Sequence, residues 1–111
     1  MRGFQITFYT QTNRKHGAVS IAEWLLQLAK ELGIKGATLL AAQAGFGRDG
    51  RMYSTAFIEL AEQPQEVTLA VGEEDAARLF ARIDEEKLEI FYTKIPVEFG
   101  VTGDDVSAAV S

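Results

Sequence analysis

The chain contains no cysteine, which removes disulfides, thiolate catalysis and zinc–thiolate sites together. Histidine is nearly absent as well. His16 is the only one, and with no neighbouring nucleophile or clear carboxylate partner it is a weak sign of catalysis. Positive charge is in short supply: 11 lysines and arginines face 16 acidic residues, for a net charge of −5. That balance argues against a nucleic-acid partner and against docking on anionic lipid, both of which need a cationic surface. No apolar run approaches the roughly 20 residues of a membrane helix. The start, Met1 to Gln5, lacks the apolar region of a signal peptide, so membrane insertion is not expected and the cytoplasm is the default compartment. Nucleophile–base pairs, metal clusters and cofactor motifs are also missing from the sequence. An enzyme is therefore not expected, and no catalytic residue, metal ligand or cofactor is assigned.

What is present reads as one small α+β domain over residues 1–100, with a loose tail over 101–111. The chain has 111 residues and a hydrophobic fraction of 47%, ordinary for a soluble domain. A chain of this length buries only about two thirds of its unfolded surface, so oligomerisation is expected. Phe4, Ile6, Phe8 and Thr10 alternate with polar residues as a half-buried strand. Gln11 to Gly17 reads as a loop. Ser20 and Glu23 form a capping box ahead of a helix with Ile21, Leu25, Leu28 and Leu32 on its apolar stripe, and Gly33 is placed to end it. Gly36 to Ala44 is apolar without alternation and predicts a strand central in the sheet. Ala56 to Leu60 predicts a short strand that Gln63-Pro64-Gln65 breaks, and Val67 to Val71 predicts another. A second helix opens at Gly72 with acidic residues in its first turn and Ala76, Leu79, Phe80 and Ile83 along its stripe. Lys87 to Phe99 closes the series, with Pro96 marking an edge or bulge. The order strand, helix, strand pair, helix, strand is that of the ferredoxin-like split β-α-β sandwich, two helices on one face of a mostly antiparallel sheet. The other face also carries apolar residues that a second subunit could cover.

The stretch Gly45-Phe46-Gly47-Arg48-Asp49-Gly50-Arg51 is the first place to look for a ligand. Glycine turns expose backbone N–H groups that form anion-binding concavities, and Arg48 and Arg51 carry planar forks suited to a phosphate or carboxylate. A plain surface hairpin turning at Asp49-Gly50 reads equally from the residues. The lone Gly45-x-Gly47 is only half of a dinucleotide fingerprint. Tyr53 adds a hydroxyl at the base of this loop, and His16 offers a polar contact or a solvated loop side chain. Phe46 and Trp24 could stack on a base, although Trp24 also suits packing or an interface. Glu73, Glu74, Asp75, Asp84, Glu85 and Glu86 could act as an acid–base pair or hold a hard cation, and equally read as solvated helix ends.

The set His16, Glu23, Glu31-Leu32-Gly33, Gly36-Ala37-Thr38 and Gly45-Phe46-Gly47 resembles the PII-like family called domain of unknown function 190, in order and spacing from about Phe4 to Phe99. The resemblance implies a ferredoxin-like homotrimer, as in PII signalling and CutA proteins. It implies a regulatory protein binding a small anionic metabolite or nucleotide in the cleft between subunits. It makes residues 45–55 the analogue of the PII T-loop, which a partner protein would read. On this basis Gly45, Phe46, Gly47, Arg48, Arg51, Tyr53 and His16 are the candidate ligand-binding residues. The alternative is a trimeric interaction module without a ligand. The chain departs from the family at Ala41-Ala42, where an arginine and a glycine are usual, and at Tyr53, where a histidine is common. The basic loop that holds ATP phosphates in PII proteins is replaced by Asp84-Glu85-Glu86-Lys87, and the PII arginine pair near the C-terminus is missing.

Overall fold

The computed structural model describes residues 1–41, 44–46, 52–54 and 63–103. Its first strand, β1, runs from Arg2 to Gln11 and is followed by two short strands, β2 (Lys15–His16) and β3 (Val19–Ser20). The first helix, α1, spans Ile21–Glu31, and β4 spans Thr38–Ala41. Two further short strands, β5 (Ala44–Phe46) and β6 (Met52–Ser54), precede β7 (Pro64–Gly72). The second helix, α2, covers Glu73–Glu85, and β8 covers Phe91–Glu98. The main sheet has the order β4-β7-β1-β8, and each of its three pairings is antiparallel. This is the ferredoxin-like α+β sandwich expected from the sequence. Among the described residues no helix is long and apolar enough to cross a membrane.

The core forms where the pleat of β1 and β7 meets the helices. Ile6 and Phe8 of β1 share a sheet face with Val67, Leu69 and Val71 of β7, because the register sets Ile6 opposite Leu69 and Phe8 opposite Val67. These side chains are buried together with Ile21, Ala22, Leu25, Leu28 and Ala29 of α1 and Ala76, Leu79 and Ile83 of α2. Each large side chain fully withdrawn from water here contributes about 1.5–3 kcal/mol. Arg82 of α2 reaches the Glu31 carboxylate of α1 at 3.1 Å, which ties the helices along their outer edges.

Both helices end in the same way. After α1, the Gly33 N–H donates to the Lys30 carbonyl and the Ile34 N–H to the Ala29 carbonyl. After α2, Lys87 and Leu88 repeat the pattern on Asp84 and Ile83. These are Schellman turns, which need a left-handed residue at the stop. Gly33 has φ +78° and Lys87 has φ 55°. At the start of α1 the Ser20 hydroxyl accepts the Glu23 N–H at 3.1 Å, as the capping box requires.

Several expectations are corrected. The strand after α1 is Thr38–Ala41, and it lies at the sheet edge rather than in the centre. Its apolar run is not the mark of two-sided burial: Leu39 and Leu40 are exposed. An apolar run of this length is compatible with either position. The segment read as a loop from Gln11 to Gly17 contains β2, paired with β3 so that His16 lies opposite Val19. Pro64 does not merely break a strand; it begins β7, opposite Gln11. The last strand starts at Phe91. Leu88 and Ile90 belong to the connection before it, where they pack against the core. Pro96 is accommodated in β8, an edge strand, as expected. The strand expected over 56–60, the Asp49-Gly50 turn and the tail over 104–111 lie outside the described residues.

Candidate ligand site at the root of residues 42–62

β4 ends at Ala41 and β7 begins at Pro64 on the neighbouring strand, so the two roots of the segment between them lie side by side. Ala41 is opposite Gln65 of β7, and Gln65 is opposite Thr10 of β1. The end of β1 is fastened here. The Thr12 N–H donates to the Gln63 carbonyl at 3.0 Å, and the Gln63 N–H donates to the Thr12 hydroxyl at 3.1 Å. Within the segment, β5 and β6 pair antiparallel with Gly45 opposite Tyr53 and Phe46 opposite Met52. Gly45, Phe46 and Tyr53 thus sit on the arms of a two-stranded ribbon, as the hairpin reading has it, and not in open loop. Gly47, Arg48 and Arg51 lie outside the described residues.

His16 is placed elsewhere. Its Nε2 is 3.6 Å from a carboxylate oxygen of Glu86, at the end of α2, and its ring meets Trp24 edge-on at 5.2 Å. The sequence offers no clue to the Glu86 partner, which is 70 positions away. With a side-chain exposure of 29%, His16 is not the solvated loop histidine. Trp24 packs against the core, as the packing reading holds. Arg14 reinforces the same docking by donating to the Glu89 carbonyl at 2.8 Å, and its own carbonyl accepts the Ile21 N–H. The β2–β3 ribbon is thereby fixed to both the start of α1 and the exit from α2.

Beside these roots lies a pocket of about 320 Å³ lined by Thr12, Lys15, Ala18, Val19, Ser20, Glu23 and Gln65. Sequence reading missed it, because Gln65 lies far along the chain from the other lining residues, which all fall between Thr12 and Glu23. The Gln65 side-chain oxygen is buried without a hydrogen-bond partner, and so is the hydroxyl of its neighbour Thr10. Each such orphan costs about 1–3 kcal/mol, an expense that folded proteins rarely carry without a reason.

A second groove, of about 410 Å³, runs between α2 and β8. Lys94 lies in it, its ammonium 4.3 Å from the centroid of the Phe4 ring and 5.5 Å from that of Phe80. This is a cation–π arrangement in which the lysine stem covers aromatic surface. The acidic residues at the ends of α2 are engaged or solvated: Asp75 pairs with Arg78 and Glu85 with Arg82. Among the described residues no group of three or more His, Asp or Glu could hold a metal ion.

The family model that matches this chain, over residues 3–98, is that of DUF190, described as an uncharacterized ACR. The chain belongs to the DUF190 family. No curated protein matches it. Solved structures share the fold of this DUF190 chain at low sequence identity. A protein from Thermus thermophilus described as PII-like and signalling, TTHA0516, is 21% identical with a TM-score of 0.64, over 86% of this chain and 87% of that one. CPII from Thiomonas intermedia, a nitrogen regulatory PII-like protein solved with ADP, AMP and bicarbonate, is 20% identical with a TM-score of 0.63, over 90% and 97%. The apo form of CPII gives 16% identity and a TM-score of 0.52, over 87% and 92%. At these identities the likeness establishes the PII-like fold.

Proposed function

We propose that this DUF190 chain is a PII-like regulatory protein, a homotrimer that binds a small anionic metabolite or nucleotide in the cleft between subunits and signals through residues 45–55. One observation carries the reading: the fold is shared with a regulatory protein whose solved structure holds ADP, AMP and bicarbonate. The β5–β6 ribbon supports it, because it sits in the connection between the second and third strands of the main sheet, where the T-loop of PII proteins lies. In this reading Arg48 and Arg51 supply charge and Gly45 and Gly47 supply backbone donors. Phe46, Tyr53 and His16 supply stacking and polar contacts, and the protein works in the cytoplasm without catalysing a reaction. The test is calorimetric titration of the wild type and Arg51→Ala with ADP, AMP and bicarbonate. Losing the charged hydrogen bond weakens binding by about 1.5–3 kcal/mol. A mutant that binds a confirmed wild-type ligand equally well refutes the assignment of the 45–55 segment.

A second reading, a trimeric interaction module without a ligand, is favoured by the exit from α2. Glu85 and Glu86 are exposed there, and Glu86 faces His16, so the local charge opposes a phosphate. A flat thermal-shift response to all three ligands supports this reading over the first.

A further inference from the structure

The pocket beside the roots of residues 42–62 carries one positive and one negative side chain, Lys15 and Glu23. Among the described residues neither forms an ion pair, so the two charges leave each other available. Ser20 stands between these functions. Its oxygen already accepts the Glu23 N–H, which leaves its proton to donate. Gln65 supplies an amide whose oxygen is buried and unsatisfied. The terminal torsion of a glutamine is broad and roughly two-fold, so the amide can turn its oxygen to a donor that enters the pocket. The wall therefore offers acceptors for a cationic group, Glu23 and Gln65, and donors for an anionic group, Lys15 and Ser20. Its formal charge sums to zero, which disfavours a polyphosphate and suits a molecule bearing both charges.

We propose that this pocket binds a small zwitterionic α-amino acid, its carboxylate held by Lys15 and Ser20 and its ammonium by Glu23 and the Gln65 carbonyl. The volume, about 320 Å³, holds a small or medium side chain. The site is built within one subunit and from residues outside the 45–55 segment. It does not depend on the nucleotide reading, and the failure of either leaves the other standing.

The experiment follows the backbone amides of Ser20 and Glu23 and the side-chain amide of Gln65 by NMR. L-alanine, L-serine and L-glutamine are titrated to about 20 mM, with propionate and ethylamine as single-charge controls and AMP as a third arm. The expected result is a saturable shift with at least one amino acid and none with either control. Lys15→Met and Gln65→Leu each weaken that binding about tenfold or more. Gln65→Leu also leaves the empty protein as stable as the wild type or more so, since it removes an orphaned polar group; a merely structural glutamine would not split the two readouts. The proposal is overturned if no amino acid gives a saturable shift, if a single-charge control binds as well, if AMP saturates these amides more tightly, or if both variants bind like the wild type.

Discussion

At the scale of single residues, the most constrained position is one that composition and pattern do not point to. Gly3 lies in β1, and a Cβ built on it would stand 1.9 Å from the Val71 carbonyl oxygen. The obstacle is backbone in the paired strand, so no side chain can move aside. Gly3→Ala is expected to cost about 1–3 kcal/mol, the range for forcing extra volume into a packed site. Chemical denaturation measures the loss, and amide exchange should show it as early opening of the Gly3–Gly72 end of the ladder. A variant as stable as the wild type, with that end still protected, would refute the close approach. Nothing in Met1-Arg2-Gly3-Phe4 announces this role, because the crowding comes from a strand 68 positions away. Ser20 is the opposite case. Its partner, Glu23, is three positions on, and the capping box was legible in the sequence because the whole interaction is local. His16 falls between: its presence was legible, its contact with Glu86 was not.

At the scale of elements, the two helices solve one problem with unequal means. Each stops in a Schellman turn whose last residue is left-handed, glycine after α1 and lysine after α2. A left-handed L-residue costs about 1–2 kcal/mol. Glycine at that place relieves the strain, and its freer unfolded chain takes back part of the gain. Lys87→Gly should therefore stabilise the protein by about 0.5–1 kcal/mol. Gly33→Ala should destabilise it by about 1 kcal/mol through the backbone alone, since a Cβ there meets nothing within 4 Å. Equal melting curves for wild type and both variants would show that the turns carry no such strain. The helices themselves were legible, because period and caps are local signals. The strands were legible by alternation only where one face is covered, as in β1 and β7. The edge place of β4 was not, because an exposed apolar strand and a buried one read alike until pairing is known. The start of β8 was misplaced because Lys87, unlike a glycine, does not advertise a left-handed turn.

At the scale of the whole molecule, register reveals a pattern scattered through the chain. On the sheet face away from the helices, Thr38, Thr68, Thr7 and Thr93 stand opposite one another across all four strands, with Thr7 and Thr68 hydroxyls 3.1 Å apart. Tyr9 and Phe91 pack their rings at 5.5 Å to one side of this row. Leu40 and Ile95 lie on the same face, 54% and 52% exposed. Glu66 is the only charged residue at the paired positions of that face, in a chain that is otherwise about one quarter charged. Depletion of charge with exposed aromatic and aliphatic groups is the composition of an interface centre, and it makes this face the one that other subunits should cover. Ile95→Arg and Leu40→Arg put a charge on side chains that a lone chain leaves half in water, so each variant should still fold with wild-type helicity. In an assembly the same charge would be buried without a partner, which costs several kcal/mol per contact. Light scattering should give the wild type about three times 12.2 kDa and each variant the mass of one chain. Gln27→Arg, on the exposed side of α1, should leave the mass unchanged. Trimers that survive both face substitutions would move the subunit contact off this face, and a monomeric wild type would remove the inter-subunit cleft on which the regulatory reading depends.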